Sequence, residues 1–131
     1  MKSAIHLFSM ITFLFLFSCD KMNLDSEKAQ DQLELDKMLQ KITAMANSVE
    51  CNNSNDWNFI ALGEKACGGP KGYIAYSKTV IKDGFEDLVK EYNEADIAFN
   101  KKYKLISDCM LLLPPSMITC KDGKAELIYK Y

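Results

Sequence analysis

Apolar positions change their spacing several times along this chain, and each change predicts an element. Ile5 to Phe17 (IHLFSMITFLFLF) is a continuous apolar run behind the short positive start Met1-Lys2. A helix of that length rises about 20 Å, too little for a hydrocarbon core of about 30 Å. A positive end, an apolar middle and the small Ser18 predict a signal peptide over residues 1–18. From Ser26 to Glu50 there is no Gly or Pro, and Leu35, Met38, Leu39, Ile42, Met45, Ala46 and Val49 recur at helical spacing. This predicts an amphipathic helix over 26–50, with Asp25 or Ser26 as N-cap and 19–25 as a tether. Its apolar face is expected to dock on the domain that follows. A partner helix or self-association is the alternative.

Beyond the polar loop Cys51 to Asp56, Trp57 to Leu62 and Tyr73 to Ser77 predict two antiparallel strands around the turn-rich stretch Gly63 to Gly72. Asp83 or Gly84 opens a second helix, running to about Lys102, with Phe85, Leu88, Val89, Tyr92, Ala95 and Phe99 on one face. Ile106 to Leu113 (ISDCMLLL) predicts a third strand, ended by Pro114-Pro115. Asp122-Gly123, between Met117 to Cys120 and Ala125 to Tyr129, is the strongest hairpin signal, and a type I′ turn there sets Cys120 opposite Ala125. The order α-β-β-α-β-β-β predicts an α+β fold, a small antiparallel sheet with helices on one face, over residues 51–131. Trp57, Phe59, Phe85, Leu88 and Tyr92 are expected in one core.

Composition narrows the chemistry. The chain has 131 residues and suits one small domain. After residue 18 it carries 15 Lys against 18 acidic residues, no histidine and no arginine. Without an imidazole, Ser-His-Asp and Cys-His catalysis and histidine-bearing zinc sites fall away. Without arginine there is no guanidinium clamp for phosphate. Asp87 and Glu91 lie four apart, but Glu86, Lys90 and Glu94 around them mark a solvated helix face. Lys101-Lys102-Tyr103-Lys104 reads as a helix C-terminus whose lysines complement the dipole, and an acidic domain argues against nucleic acid. No catalytic residue, metal or cofactor is expected.

Setting Cys19 aside leaves Cys51, Cys67, Cys109 and Cys120, an even number in a small exported domain, which predicts two disulfides stapling the sheet. Three pairings are open. Cys67–Cys109 with Cys51–Cys120 is preferred, because the glycine-rich loop and the third strand then each supply an anchor. The loop Lys65, Gly68, Gly69, Pro70 and Lys71 is the candidate binding loop. It leads into a strand rather than a helix N-terminus, which disfavours a phosphate cradle. A stapled connection is the plain structural reading. A rigid contact loop is the functional one, since bracing lowers the entropy lost on binding.

Leu16-Phe17-Ser18-Cys19 resembles the lipobox of bacterial lipoproteins, with the bulky Phe17 a departure. The resemblance implies cleavage before Cys19, acylation of its sulfur and attachment to a membrane of the cell envelope, with inner and outer membrane both open. Gly63 to Ser77 reads G-x-x-A-C-G-G-P-x-x-Y-x-x-Y-S, and Ser107-Asp108-Cys109 follows. In these, the stretch from Cys51 to Tyr129 resembles a group of small exported bacterial domains without assigned activity. Members of that group often carry further cysteines at the positions of Trp57 and Ala125. The resulting expectation is a lipid-anchored, non-catalytic domain that binds an envelope protein or glycan. The alternatives are an inhibitor of a secreted or periplasmic hydrolase, inserting Lys65 to Lys71 into its active site, and an enzyme using carboxylates or lysine.

Overall fold

The computed structural model describes residues 19–130, so the leader expected at 1–18 lies outside the described residues. The chain divides into a unit ending at Leu33 and a unit from Glu34 to Tyr131. In the first, the described residues belong to helix α1 (Cys19–Ala46), and the side chains from Asn23 to Leu33 are exposed or half-buried. The helix takes in 19–25, the expected tether, and does not start at Asp25 or Ser26. No Gly or Pro interrupts Cys19 to Ala46, so no breaker stands at the expected boundary. It ends at Ala46 rather than Glu50. There Asn47 N donates to Thr43 O at 3.0 Å and Ser48 Oγ donates to Met45 O at 2.7 Å. The first of these still continues the helical ladder, while the Ser48 hydroxyl takes a backbone acceptor for itself, as short polar side chains do.

In the second unit a 3₁₀ turn (Ser54–Asp56) leads into β1 (Trp57–Glu64), which pairs antiparallel with β2 (Pro70–Ser77) from Trp57↔Ser77 to Glu64↔Pro70. Helix α2 (Lys82–Lys102) follows, kinked at Asp83 and Gly84, with regular helix after them. β3 (Met117–Lys121) and β4 (Lys124–Ile128) form a separate hairpin. Asp122 (φ 50°) and Gly123 (φ 74°) both take the left-handed conformation of a type I′ turn, and Cys120 stands opposite Ala125. The fold is α+β, with two small antiparallel sheets among the described residues instead of one.

The single expected core is two clusters, and the period of a strand explains why. Ile60, Leu62, Ile74 and Tyr76 share one face of the β1–β2 sheet and pack with Phe85, Val89, Tyr92 and Phe99 of α2. Leu35, Ile42 and Ala46 of α1 are buried in the same cluster, so the apolar half of α1 docks on its own unit. Trp57 and Ala75 look the other way and pack with Cys51, Ile118, Cys120, Ala125 and Leu127. Phe59 joins neither cluster and meets Tyr73 edge-on, with ring centroids 5.8 Å apart. A disulfide joins Cys51 to Cys120 across the second cluster, and Cys51 N donates to Gly123 O at 2.8 Å.

The expected third strand is absent: residues 105–115 have no regular secondary structure. One cause lies at the outer edge of β1. Asn93 Oδ1 accepts from Gly63 N at 2.7 Å and Asn93 Nδ2 donates to Ala61 O at 3.1 Å. Asp96 Oδ2 accepts from Glu64 N at 2.8 Å, and Asn100 Nδ2 donates to Glu64 O at 2.7 Å. Side chains of α2 therefore satisfy the backbone groups that a further strand would need at that end of the sheet.

Candidate functional site

The connection between β1 and β2 is a tight loop built from its own backbone. Lys65 N donates to Gly69 O at 2.8 Å and Gly68 N to Lys65 O at 2.9 Å. Gly69 N donates to Glu64 Oε1 at 2.8 Å. These bonds need Gly68 and Gly69 at φ +94° and +83°, a region that L side chains rarely adopt. Ala66 to Gly69 are exposed, and a Cβ at Gly68 or Gly69 would meet no atom within 4 Å. The tip is open to solvent.

The two lysines of the candidate loop are committed to carboxylates. Lys71 Nζ donates to Asp96 Oδ1 at 2.7 Å, below the loop. Lys65 Nζ donates to Asp108 Oδ1 at 2.7 Å and to Met110 O at 3.0 Å. That hydrogen bond, with the lysine charge, holds the Asp108 carboxyl below its ordinary range. Lys65 and Lys71 are braces, while Gly68, Gly69 and Pro70 shape the tip.

The segment that Lys65 grips is the expected third strand, and it turns its apolar side chains outward. Ile106 is 96% exposed, Leu111 82% and Met110 73%. These exposed apolar side chains lie on the segment that Lys65 and Cys67 hold against the loop. The same apolar run, Ile106 to Leu113, reads as a strand from its pattern alone.

Of the two expected disulfides, Cys51–Cys120 is formed and Cys67–Cys109 is not: Cys67 and Cys109 lie at the same seam as free thiols, with Ser107 and Asp108 O taking up the hydrogen-bonding capacity of Cys67. Cys67 Sγ shares a hydrogen bond with Ser107 Oγ at 3.2 Å and donates to Asp108 O at 3.3 Å. A hydrogen bond from Cys109, then one from Ser107, pulls the Cys67 thiol below its ordinary value. The same contact with Cys67, first among several causes, pushes Cys109 up.

Three polar residues of α2 escaped the sequence reading. Asn93, Asp96 and Asn100, spaced by three and four, hold the edge of β1. Short polar side chains at helical spacing beside the apolar face were the available signal. On the other face of the β1–β2 sheet an open cavity of about 530 Å³ lies between β2 and β4, with Trp57, Tyr73, Ala75, Ala125 and Leu127 in its lining. Asp87 and Glu91 are both exposed. Among the described residues no three His, Cys, Asp or Glu side chains are placed to hold a metal ion, and no helix is long and apolar enough to cross a membrane. No family model, curated protein or solved structure matches the chain.

Proposed function

We propose that this chain is a lipid-anchored cell-envelope protein whose Glu34–Tyr131 unit binds a protein partner without catalysing a reaction. The observation that carries the binding surface is the exposure of Ile106, Met110 and Leu111 beside the braced, open loop Lys65 to Pro70. A protein with an apolar cleft fits that surface better than a glycan does, because the exposed side chains Ile106, Met110 and Leu111 are apolar. The anchor rests on the lipobox-like Leu16-Phe17-Ser18-Cys19 at the end of an apolar run.

The narrower reading, an inhibitor that inserts the loop into a hydrolase cleft, is favoured by the exposure of Gly68 and Gly69 and the open space around them. Both readings are tested by capture from envelope extract, comparing the wild type with an Ile106→Asp/Leu111→Asp variant of unchanged melting temperature. A specific partner lost with the variant supports binding at this surface. Equal capture by the two proteins refutes it, and turnover abolished by changing a single Asp, Glu, Lys or Ser refutes the non-enzymatic reading. For the anchor, Cys19→Ala is expected to leave the membrane fraction. Its retention there after a high-salt wash would sink the lipoprotein reading.

A further inference from the structure

We infer that Cys67 and Cys109 form an accessible thiol–disulfide exchange site, different in kind from the structural bridge Cys51–Cys120. The inference rests on the binding proposal in one respect: the thiols lie at the seam between the two halves of the proposed contact surface. Cys67 belongs to the loop and Cys109 to the segment that carries Ile106, Met110 and Leu111.

Three observations converge on exchange. First, the pair is pre-assembled by geometry: Cys67 Sγ lies 3.2 Å from Ser107 Oγ and 3.3 Å from Asp108 O, and Cys109 Sγ lies 4.0 Å from Ser107 O, so both sulfurs gather on Ser107. Cys67 N also donates to Ser107 Oγ, at 3.4 Å. Second, both residues are exposed, whereas Cys51 is 2% exposed, so a dissolved thiol or disulfide reaches one pair far more readily than the other. Third, the two sulfurs are unequal. Hydrogen bonds from Cys109 and Ser107, with the charge of Lys65, favour the thiolate at Cys67, and Cys109 holds its proton more firmly. Thiolate character at an exposed position marks the attacking sulfur.

The step balances with a disulfide of the surroundings, R–S–S–R, as oxidant. R–S–S–R is either a small-molecule disulfide or the active disulfide of an exported oxidoreductase. The Cys67 thiolate attacks one sulfur, the S–S bond breaks, and R–S⁻ leaves and takes up a proton. Cys109 then gives its proton to solvent and attacks Cys67 Sγ, and the second R–S⁻ leaves and is protonated. Two protein thiols are oxidised by two electrons to one disulfide, and one R–S–S–R is reduced to two R–SH. Two R–SH in excess run the steps backward. In the oxidised form the loop and the apolar segment are covalently joined. In the reduced form they are held by the Lys65–Asp108 pair and the Ser107 hydrogen bonds.

The test uses the full chain equilibrated in graded mixtures of oxidised and reduced glutathione, alkylated with iodoacetamide and mapped by mass spectrometry. Cys67 and Cys109 are expected to lose label together as the buffer becomes oxidising, while Cys51 and Cys120 stay unlabelled throughout. Cys109→Ser is expected to trap a glutathione adduct on Cys67 faster than Cys67→Ser traps one on Cys109, because Ser107 and Lys65 still favour the Cys67 thiolate. Opening of both pairs at one potential, independent titration of Cys67 and Cys109, or faster capture at Cys109 would each overturn the assignment. Partner capture by the oxidised protein and by a Cys67→Ser/Cys109→Ser variant separates the two proposals. Exchange with no capture in either form removes the binding reading and leaves the exchange site. Capture without exchange does the reverse.

Discussion

Lys71 Nζ lies 2.7 Å from Asp96 Oδ1, and the two ends of the pair sit in different surroundings: the carboxylate is 2% exposed and the lysine side chain 47%. The other oxygen of Asp96 accepts from Glu64 N, so this one side chain fixes both the edge of β1 and the start of β2. Hydrogen bonds to charged groups contribute about 1.5–3 kcal/mol each. Asp96→Ala is therefore expected to destabilise by at least about that much, since it leaves a backbone donor and an ammonium without their acceptor. Lys71→Met is expected to cost less, because its charge is half exposed and screened. Urea denaturation of the two variants checks the order, and a larger loss for Lys71→Met would contradict it.

Tyr76 and Phe85 stack at 5.0 Å in the larger cluster. The Tyr76 hydroxyl donates to Glu86 and accepts from Asn58 Nδ2 at 3.2 Å. Phe85 is 0% exposed, and Phe85→Ala is expected to cost about 3–5 kcal/mol. Tyr76→Phe keeps the packing and removes only the polar contacts, for about 1–3 kcal/mol. Thermal melts of both variants test the contrast. An unchanged melting temperature for Phe85→Ala would show that the α2 face is not packed.

The Cys51–Cys120 bridge closes a sequence separation of 69 and joins the chain entering the domain to β3. Its removal in a Cys51→Ala/Cys120→Ala variant is expected to cost about 2–5 kcal/mol. Circular-dichroism melts measure this loss, and a variant as stable as the wild type would make the bridge dispensable.

The brace between Lys65 and Asp108 depends on pH. The Asp108 carboxyl is held below its ordinary value by the hydrogen bond and charge of Lys65. For a carboxylate depressed in the folded state, the contribution is fully present above its unfolded value and is lost as pH falls through the lowered one. The loop is therefore expected to stay gripped at neutral pH and to loosen in acid. Carboxyl NMR titration of Asp108 reads this directly, and Lys65→Met is expected to move the titration upward. No movement would mean that the pair is not formed in solution.

Periodicity made the secondary structure readable wherever one face of an element is buried and the other wet. The α2 face from Phe85 to Phe99, the first hairpin and the Asp-Gly turn follow from local pattern alone. Two features depended on what lies across space. Ile106 to Leu113 has the composition of a buried strand, and the occupation of the β1 edge by Asn93, Asp96 and Asn100 is not a local property of either segment. Trp57 and Phe59 fall on the sheet face opposite Ile60 and Leu62, and only the placement of the second hairpin shows that Trp57 has a cluster of its own. At the candidate site the loop was legible from Gly68-Gly69-Pro70. The engagement of Lys65 and Lys71 was not, because their carboxylate partners are 43 and 25 residues away.

Gly69 gives the sharpest test of whether the shape of the loop matters to binding. A Cβ there meets nothing within 4 Å, so space does not limit substitution; the φ of +83° does. A left-handed conformation costs an ordinary L residue roughly 1–2 kcal/mol, and a β-branched residue fits it worst. In Gly69→Val that strain is relieved by opening the turn, which breaks the bonds from Lys65 N to Gly69 O and from Gly69 N to Glu64 Oε1. Both clusters lie away from the tip, so the melting temperature is expected to fall only slightly while partner capture is lost. Gly69→Asn, a residue that tolerates positive φ, is expected to retain capture. The pair of variants separates backbone shape from side-chain bulk. Capture by Gly69→Val at the wild-type level would mean that the turn plays no part in the contact surface.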